Sequence, residues 1–296
     1  PRRRLRRWTR RLAECGVSYA ALPLGREADV LYWRYAAARF SAYRNVWWSL
    51  ANEYDLMTDK TLEDWERCAR ILCENDPYRH LRSIHNCVAF YDYSRPWVTH
   101  CSLQRQDIYR HVEYTDEYRI RYGKPVVWDE IAYEGNLDQG WGNISGEELT
   151  RRFWEAALRG GYAGHGETFL HPEDILWWSH GGRLHGESPA RIRFLHQILC
   201  QTPGPGLKRG AGSFDETVGV PDRALPDRDY EIHYYGFGRP SFRYFRKPEG
   251  ERYQAEIIDT WNMTVTDAGV HSGTFKLPLP GREYMAVRLR RVGSGQ

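Results

Sequence analysis

Two short segments of this chain end an apolar run on a carboxylate. Asn45-Val-Trp-Trp-Ser-Leu-Ala-Asn-Glu53 is too apolar to face water until it stops at Asn52 and Glu53, and Pro125-Val-Val-Trp-Asp-Glu130 repeats the design. In a parallel barrel the C-terminal ends of the strands carry the reactive groups. Glu53 and Glu130 are therefore candidate catalytic residues. The chemistry that needs such a pair is cleavage of a glycosidic bond. One carboxylic acid protonates the leaving oxygen while a carboxylate meets the developing oxocarbenium ion, and a spacing of about 5 Å gives retention through a covalent glycosyl intermediate. The 77 residues from Glu53 to Glu130 suit three strand–helix units of roughly 30 residues each. The plain alternatives are a helix-start carboxylate at position 53, favoured by the helix dipole, and an exposed loop acid at 130. Asp129 and Glu134 compete for the second role. Asp129 points away if Glu130 points in, because neighbouring strand residues alternate, and Glu134 lies deeper in the loop.

Other expected strand tips carry groups suited to sugar hydroxyls: His85 and Asn86, His100 and Gln104, then His165 and Glu167. Each histidine serves equally well as a structural hydrogen-bonding residue. Glu167 can grip a pair of hydroxyls, raise the pKa of the acid by repulsion, or pair with an arginine. Trp177 or Trp178 can floor a sugar site, since aromatic faces stack on the C–H faces of sugars; core packing explains the other. His171, His180 and His185 form no recognised ligand spacing with these acids, so no catalytic metal and no cofactor is expected.

The elements that must position these groups alternate. Strands are expected over 17–22, 45–51, 81–85, 97–103, 125–130 and 161–165, and helices over 28–43, 61–74, 114–122 and 145–159. Thr58 or Asp59 is expected to cap the second helix, and Ser145-Gly-Glu-Glu148 reads as a capping box. Such alternation argues for an α/β fold with a parallel sheet and helical crossovers. After Cys200 the breaker cluster Gln201-Thr-Pro-Gly-Pro-Gly206 reads as a linker. Short strand-like runs follow at 230–235, 253–259, 273–277 and 284–289, the pattern of a small sandwich. The expected division is a (β/α) barrel over 1–202 and an all-β sandwich over 203–296.

Composition excludes some partners. With 42 basic against 39 acidic residues the net charge is +3, without the basic face of a nucleic-acid module. In the arginine-rich opening, Leu5, Trp8 and Leu12 fall at helical spacing, so an amphipathic helix is expected there. The 12 Trp, 20 Tyr and 10 Phe suit sugar stacking as well as a large core. The six cysteines are scattered, without a zinc or redox spacing, and most are expected to be buried thiols in a reducing compartment. No apolar window reaches the roughly 18 residues of a membrane span, and no signal peptide is visible, so a cytoplasmic location is expected.

Trp48-Ser-Leu-Ala-Asn-Glu53 resembles the Asn-Glu motif that ends the fourth strand of clan A glycoside hydrolases, and Val126-Val-Trp-Asp-Glu130 resembles their seventh-strand nucleophile. The whole chain resembles bacterial candidate glycosidases with a DUF4038/DUF5060-type barrel and a DUF5605 C-terminal domain. The blocks 45–57, 164–168, 176–182 and 258–263 carry this likeness. The resemblance implies a retaining O-glycoside hydrolase acting on a poly- or oligosaccharide, with Glu53 as acid/base, Glu130 as nucleophile and Asn52 donating to the hydroxyl beside the reacting carbon. A catalytically degenerate carbohydrate-binding protein is the alternative. A closed barrel needs eight strands, whereas six are expected here. If the Asn-Glu strand is the fourth, two strand–helix units, roughly 60 residues, are expected to be missing from the N-terminus. The related proteins also carry an N-terminal sandwich, absent from this chain. An open sheet exposes edges prone to association, and a homo-oligomer is one way to cover them.

Overall fold

The computed structural model describes residues 26–107, 110–170, 183–223 and 229–293. The expected strand over 17–22 and the amphipathic N-terminal helix lie outside them. The chain is a mixture of helices, short parallel strand pairs and one six-stranded antiparallel sheet. It divides into two compact units, Pro1–Gln106 and Asp107–Gln296. No helix among the described residues is long and apolar enough to cross a membrane.

The first unit contains helix α1 (Arg26–Phe40), strand β1 (Trp48–Ser49), helix α2 (Leu62–Asn75), strand β2 (Arg82–Ser83) and strand β3 (Cys101–Leu103). Strands β1 and β2 pair in parallel, Trp48 with Arg82 and Ser49 with Ser83, and a parallel bridge joins His85 to Ser102. These strands are much shorter than the apolar runs that announce them. Helix α2 buries Trp65, Cys68, Ala69, Ile71 and Leu72 along one stripe, as an amphipathic helix does. Its cap is Thr61, not Thr58 or Asp59. The Thr61 side chain accepts from the Asp64 backbone while Asp64 accepts from the Thr61 backbone, a reciprocal box. Burial of Asp29 is met by Lys60 at 2.7 Å.

The second unit continues with helix α3 (Thr115–Tyr122), strands β4 (Val126–Trp128) and β5 (Glu134–Gly135), helix α4 (Gly146–Leu158), strands β6 (Tyr162–Ala163) and β7 (Glu167–Thr168), and helix α5 (Ser188–Leu199). Strand β4 pairs in parallel with β6, and β5 with β7. Ser145 caps α4 as expected, accepting from the Glu148 backbone at 3.2 Å. The Glu148 carboxylate, however, turns to Arg151 and Arg152, so the box is only half made.

Strands β8 (Leu207–Arg209), β9 (Thr217–Pro221), β10 (Tyr230–Tyr234), β11 (Phe242–Arg246), β12 (Arg252–Asp259), β13 (Thr264–Ser272), β14 (Thr274–Pro278) and β15 (Met285–Val292) follow. Six of them form an antiparallel sheet in the order β13-β12-β15-β10-β9-β8, and β11 pairs with β14. Phe245 and Leu277 of that pair share an apolar core with Tyr253, Ala255, Val287 and Leu289 of the large sheet. Helix α4 lies against the sheet: Trp154 stacks on Tyr234 with centroids 5.5 Å apart. Gly219 abuts Leu158, where a Cβ would lie 2.7 Å from a leucine methyl. Enclosed on most sides, α4 buries Arg151, Arg152 and Glu155, and ion pairs to Glu113 and Glu148, both at 2.7 Å, compensate Arg151.

Five of the six cysteines are described and all five are free thiols. Two of the five, Cys68 and Cys101, are buried, Cys73 and Cys87 are half-buried and Cys200 is exposed, so among the described residues fewer thiols are buried than the majority expected. His233 is bracketed by Glu216 at 3.2 Å and Glu231 at 2.9 Å, and Lys247 reaches Glu231 at 2.6 Å. Burial alone would lower the His233 pKa, but the two carboxylates outweigh it and hold it above the ordinary 6.5. Both glutamates stay below their ordinary range despite burial, because the imidazolium bonds to them. The histidine's contribution to stability is complete below pH 6.5 and fades as the pH climbs through its raised folded value. That of the glutamates is present above their ordinary 4.5 and fades as the pH falls through their lowered values. The urea midpoint of the whole chain should fall between pH 6 and pH 9, and His233→Gln, less stable at pH 6, should lack this alkaline decline.

Candidate active site

In the first unit, Glu53 follows β1 by four residues and is the cap of a 3-10 turn over Tyr54–Leu56. Its backbone is left-handed, with φ 49° and ψ 55°, a conformation costing about 1–2 kcal/mol for a residue with a Cβ. Such strain persists only where the surroundings hold it, and it concentrates at functional positions. Here the holding groups are clear. The Tyr54 amide donates to the His85 carbonyl at 2.9 Å, and Asp55 accepts from the amides of Cys87, Val88 and Ala89 at 2.6–2.8 Å. Burial would raise the Asp55 carboxyl, but these three donors prevail and hold it below the ordinary range. The Glu53 carboxylate is half-buried and accepts from Gln104 Nε2 at 2.8 Å.

Gln104 is positioned in turn by Asn86. The Asn86 side chain donates to the Gln104 carbonyl at 3.1 Å and accepts from its amide at 3.3 Å, imitating a strand ladder just past β3. Asn86 is fully enclosed, so it lies beneath Gln104. His85 is buried with Nδ1 3.4 Å from Ser102 Oγ. His100 is buried with Nδ1 3.0 Å from Thr99 Oγ1, and its ring lies 5.1 Å from the exposed Trp47. Asn52 is exposed. The structure thus joins Glu53, Gln104 and Asn86 into one chain of contacts. Asp55, which sequence reasoning passed over, anchors its loop.

In the second unit, Asp129 is exposed and Glu130 half-buried immediately after β4. Ala132, with φ 64°, turns the backbone toward β5. There Glu134 stands in register with Glu167 of β7. Both are buried, at 4% and 6% exposure. The Glu134 carboxylate accepts from the amides of Glu187 at 2.7 Å and Ser188 at 3.0 Å, and from the Ser188 hydroxyl at 2.5 Å. It therefore caps the positive end of α5. Glu167 Oε2 accepts from the amides of His185 and Gly186 at 2.7 and 3.0 Å. His165 Nε2 is 3.7 Å from Glu167 Oε1 and 3.3 Å from Ser188 Oγ. Burial holds the imidazole below its ordinary range, against the opposing pull of Glu167 and Glu134. Trp177, Trp178, His171 and His180 lie outside the described residues. Gly186 and Ser188 escaped sequence reasoning, although Ser-Pro at 188–189 is a standard helix opening.

Residues 7–180 match the family model of the apiosidase-like catalytic domain. The chain belongs to the apiosidase-like family. Residues 220–290 of this apiosidase-like chain match a second model, the domain of unknown function DUF5605. Among solved structures, the chain is similar to a candidate glycoside hydrolase from Bacteroides vulgatus ATCC 8482, with 32% identity and a TM-score of 0.83 over 93% of this chain and 57% of that one. It therefore spans just over half the length of that relative. A family 5 glycoside hydrolase from the same organism shares 15% identity at a TM-score of 0.70, covering 90% of this chain and 67% of the other. A family 30 endoxylanase from Clostridium papyrosolvens C71 shares 12% at 0.53, covering 90% and 72%. The latter two show likeness of fold alone, to glycoside hydrolases of TIM-barrel type. A comparison with curated proteins returns no match. The expected likeness to clan A hydrolases with a DUF5605 domain is borne out.

The close approach of residues 185–188 to two carboxylates has a measurable consequence. A Cβ on Gly186 would lie 2.3 Å from Glu134 Oε2 and 2.8 Å from Glu167 Oε1. Gly186→Ala should therefore destabilise the chain by about 1–3 kcal/mol, the usual cost of overpacking a filled site, read as a lower urea midpoint at unchanged slope.

Proposed function

We propose that this apiosidase-like chain is the catalytic portion of a retaining O-glycoside hydrolase, with Glu53 as acid/base and Glu130 as nucleophile, acting on a poly- or oligosaccharide. Family membership supports the reaction class. The observation that carries the residue assignment is the position of Glu130, half-buried and directly after β4. Both oxygens of Glu134 and one of Glu167 accept from backbone amides of 185–188, which holds that loop, and Asp129 is exposed. Glu53 has the complementary features: partial burial, a strained backbone, and a single amide donor from Gln104.

In this reading Glu53, protonated, gives its proton to the departing glycosidic oxygen while a Glu130 oxygen attacks the anomeric carbon from the opposite face. Glu53 then removes a proton from the water that releases the glycosyl group. Asn52, exposed beside Glu53, and His100, beside Trp47, are the sugar contacts it favours. The division into a barrel portion over 1–202 and a sandwich over 203–296 belongs to the same proposal. So does the carbohydrate partner. The family description nominates apiosides as the first substrates to try.

The alternative, a carbohydrate-binding protein without turnover, is separable by experiment. Aryl glycosides offered to the wild type should be hydrolysed with retained anomeric configuration. Glu53→Gln should lower the rate by about 10²–10⁴-fold, the usual size of general acid/base catalysis, and Glu130→Ala should abolish it. Hydrolysis surviving Glu130→Ala would remove the nucleophile from the scheme. Glycan binding without hydrolysis, unaltered by Glu53→Gln, would favour the alternative.

A further inference from the structure

We propose that Glu134, His165 and Glu167 form a binding site for one divalent transition-metal cation, of the manganese or zinc class, between β5 and β7. The electrostatics of the pair come first. Glu134 and Glu167 are directly opposite on adjacent parallel strands, where like charges repel, and both are buried. Among the described residues neither is ion-paired with a lysine or an arginine; the one charged-group neighbour is His165, 3.7 Å from Glu167 Oε1. Buried carboxylates are ordinarily paired, neutralised or bound to a metal. Four backbone amides and the Ser188 hydroxyl meet three of the four carboxylate oxygens. The fourth, Glu167 Oε1, is enclosed and receives no hydrogen bond. The Glu167 side chain has no exposed surface, and this oxygen is directed at the His165 ring.

The geometry suits a small cation. One donor atom from each of the three residues lies within 4.8 Å of the other two. Three donors sharing one ion at bond lengths of roughly 2.0–2.2 Å lie about 3.3–3.8 Å apart, so side-chain movements of up to about 1 Å complete the set. Two carboxylate oxygens with one imidazole nitrogen form a mixed donor set that favours manganese or zinc. Calcium takes oxygen ligands throughout. A charge of +2 would cancel the two carboxylates. Gly186 keeps the space shared by Glu134 Oε2 and Glu167 Oε1 clear of a Cβ. The site does not depend on the hydrolase reading, and its test involves no substrate.

The full chain, freed of metal with a chelator, should bind one equivalent of added Mn²⁺, measured by loss of the free-ion paramagnetic resonance signal. Zn²⁺ should compete for that equivalent and Ca²⁺ should not. Binding should raise Tm. Glu167→Gln, which keeps an oxygen for the His185 and Gly186 amides, should fold, melt no lower than the metal-free wild type, and lose the bound equivalent together with the Tm rise. His165→Ala should weaken binding at least tenfold. Absence of saturable binding by the wild type would overturn the proposal and leave a proton shared between the carboxylates as the account of the site. Equal binding by wild type, Glu167→Gln and His165→Ala would place the ion elsewhere and overturn it as well.

Discussion

Carboxylates, most of them buried, that accept runs of backbone amides hold this molecule's loops. Strands of two or three residues, such as β1, β2, β5 and β7, offer few ladder hydrogen bonds, yet every enclosed N–H must find an acceptor. Carboxylates fill the gap. Asp55 gathers the amides of 87–89, and Asp76 those of Tyr78 and His80 together with the Trp48 indole. Glu134 and Glu167 gather 185–188, and Asp259 gathers Trp261 and Asn262. Charge-assisted bonds of this kind are roughly twice as strong as neutral ones. One residue can therefore fix a turn that its strand is too short to hold.

The same pattern separates two uses of acidic side chains that look alike in a sequence. An acid whose oxygens are saturated by fixed amides is a structural acceptor, whereas one with a single donor and partial exposure leaves hydrogen-bonding capacity unused. Glu134, four residues beyond Glu130, is of the first kind. Glu53 is of the second, and its left-handed backbone is a local cost that the neighbouring Asp55 anchor offsets.

Much of this was legible in the residues. Periodicity located α1 to α4 within a few positions, and the turn from alternating elements to unbroken strands after Cys200 is visible in the breaker cluster there. Strand lengths were not legible, because an apolar run such as 45–51 reports burial and only Trp48 and Ser49 meet ladder geometry. Helix α5 went unread although Pro189 sits in its first turn. Strand β13 was hidden because most of its residues are exposed on both faces, which erases the alternation that marks β15. The roles of Asn86 and Gln104 depend on partners distant in the chain, which a local reading cannot supply. The pairing of Glu134 with Glu167 depends on register between strands separated by a whole helix.

Helix α4 is enclosed by the antiparallel sheet as well as by its own strands: Glu155 and Arg159 both reach Thr217, and Trp154 stacks on Tyr234. The strands after Cys200 therefore form one wall of the core that the last αβ unit needs. Replacing these strands with an unrelated module would strip α4 of its partners Thr217 and Tyr234.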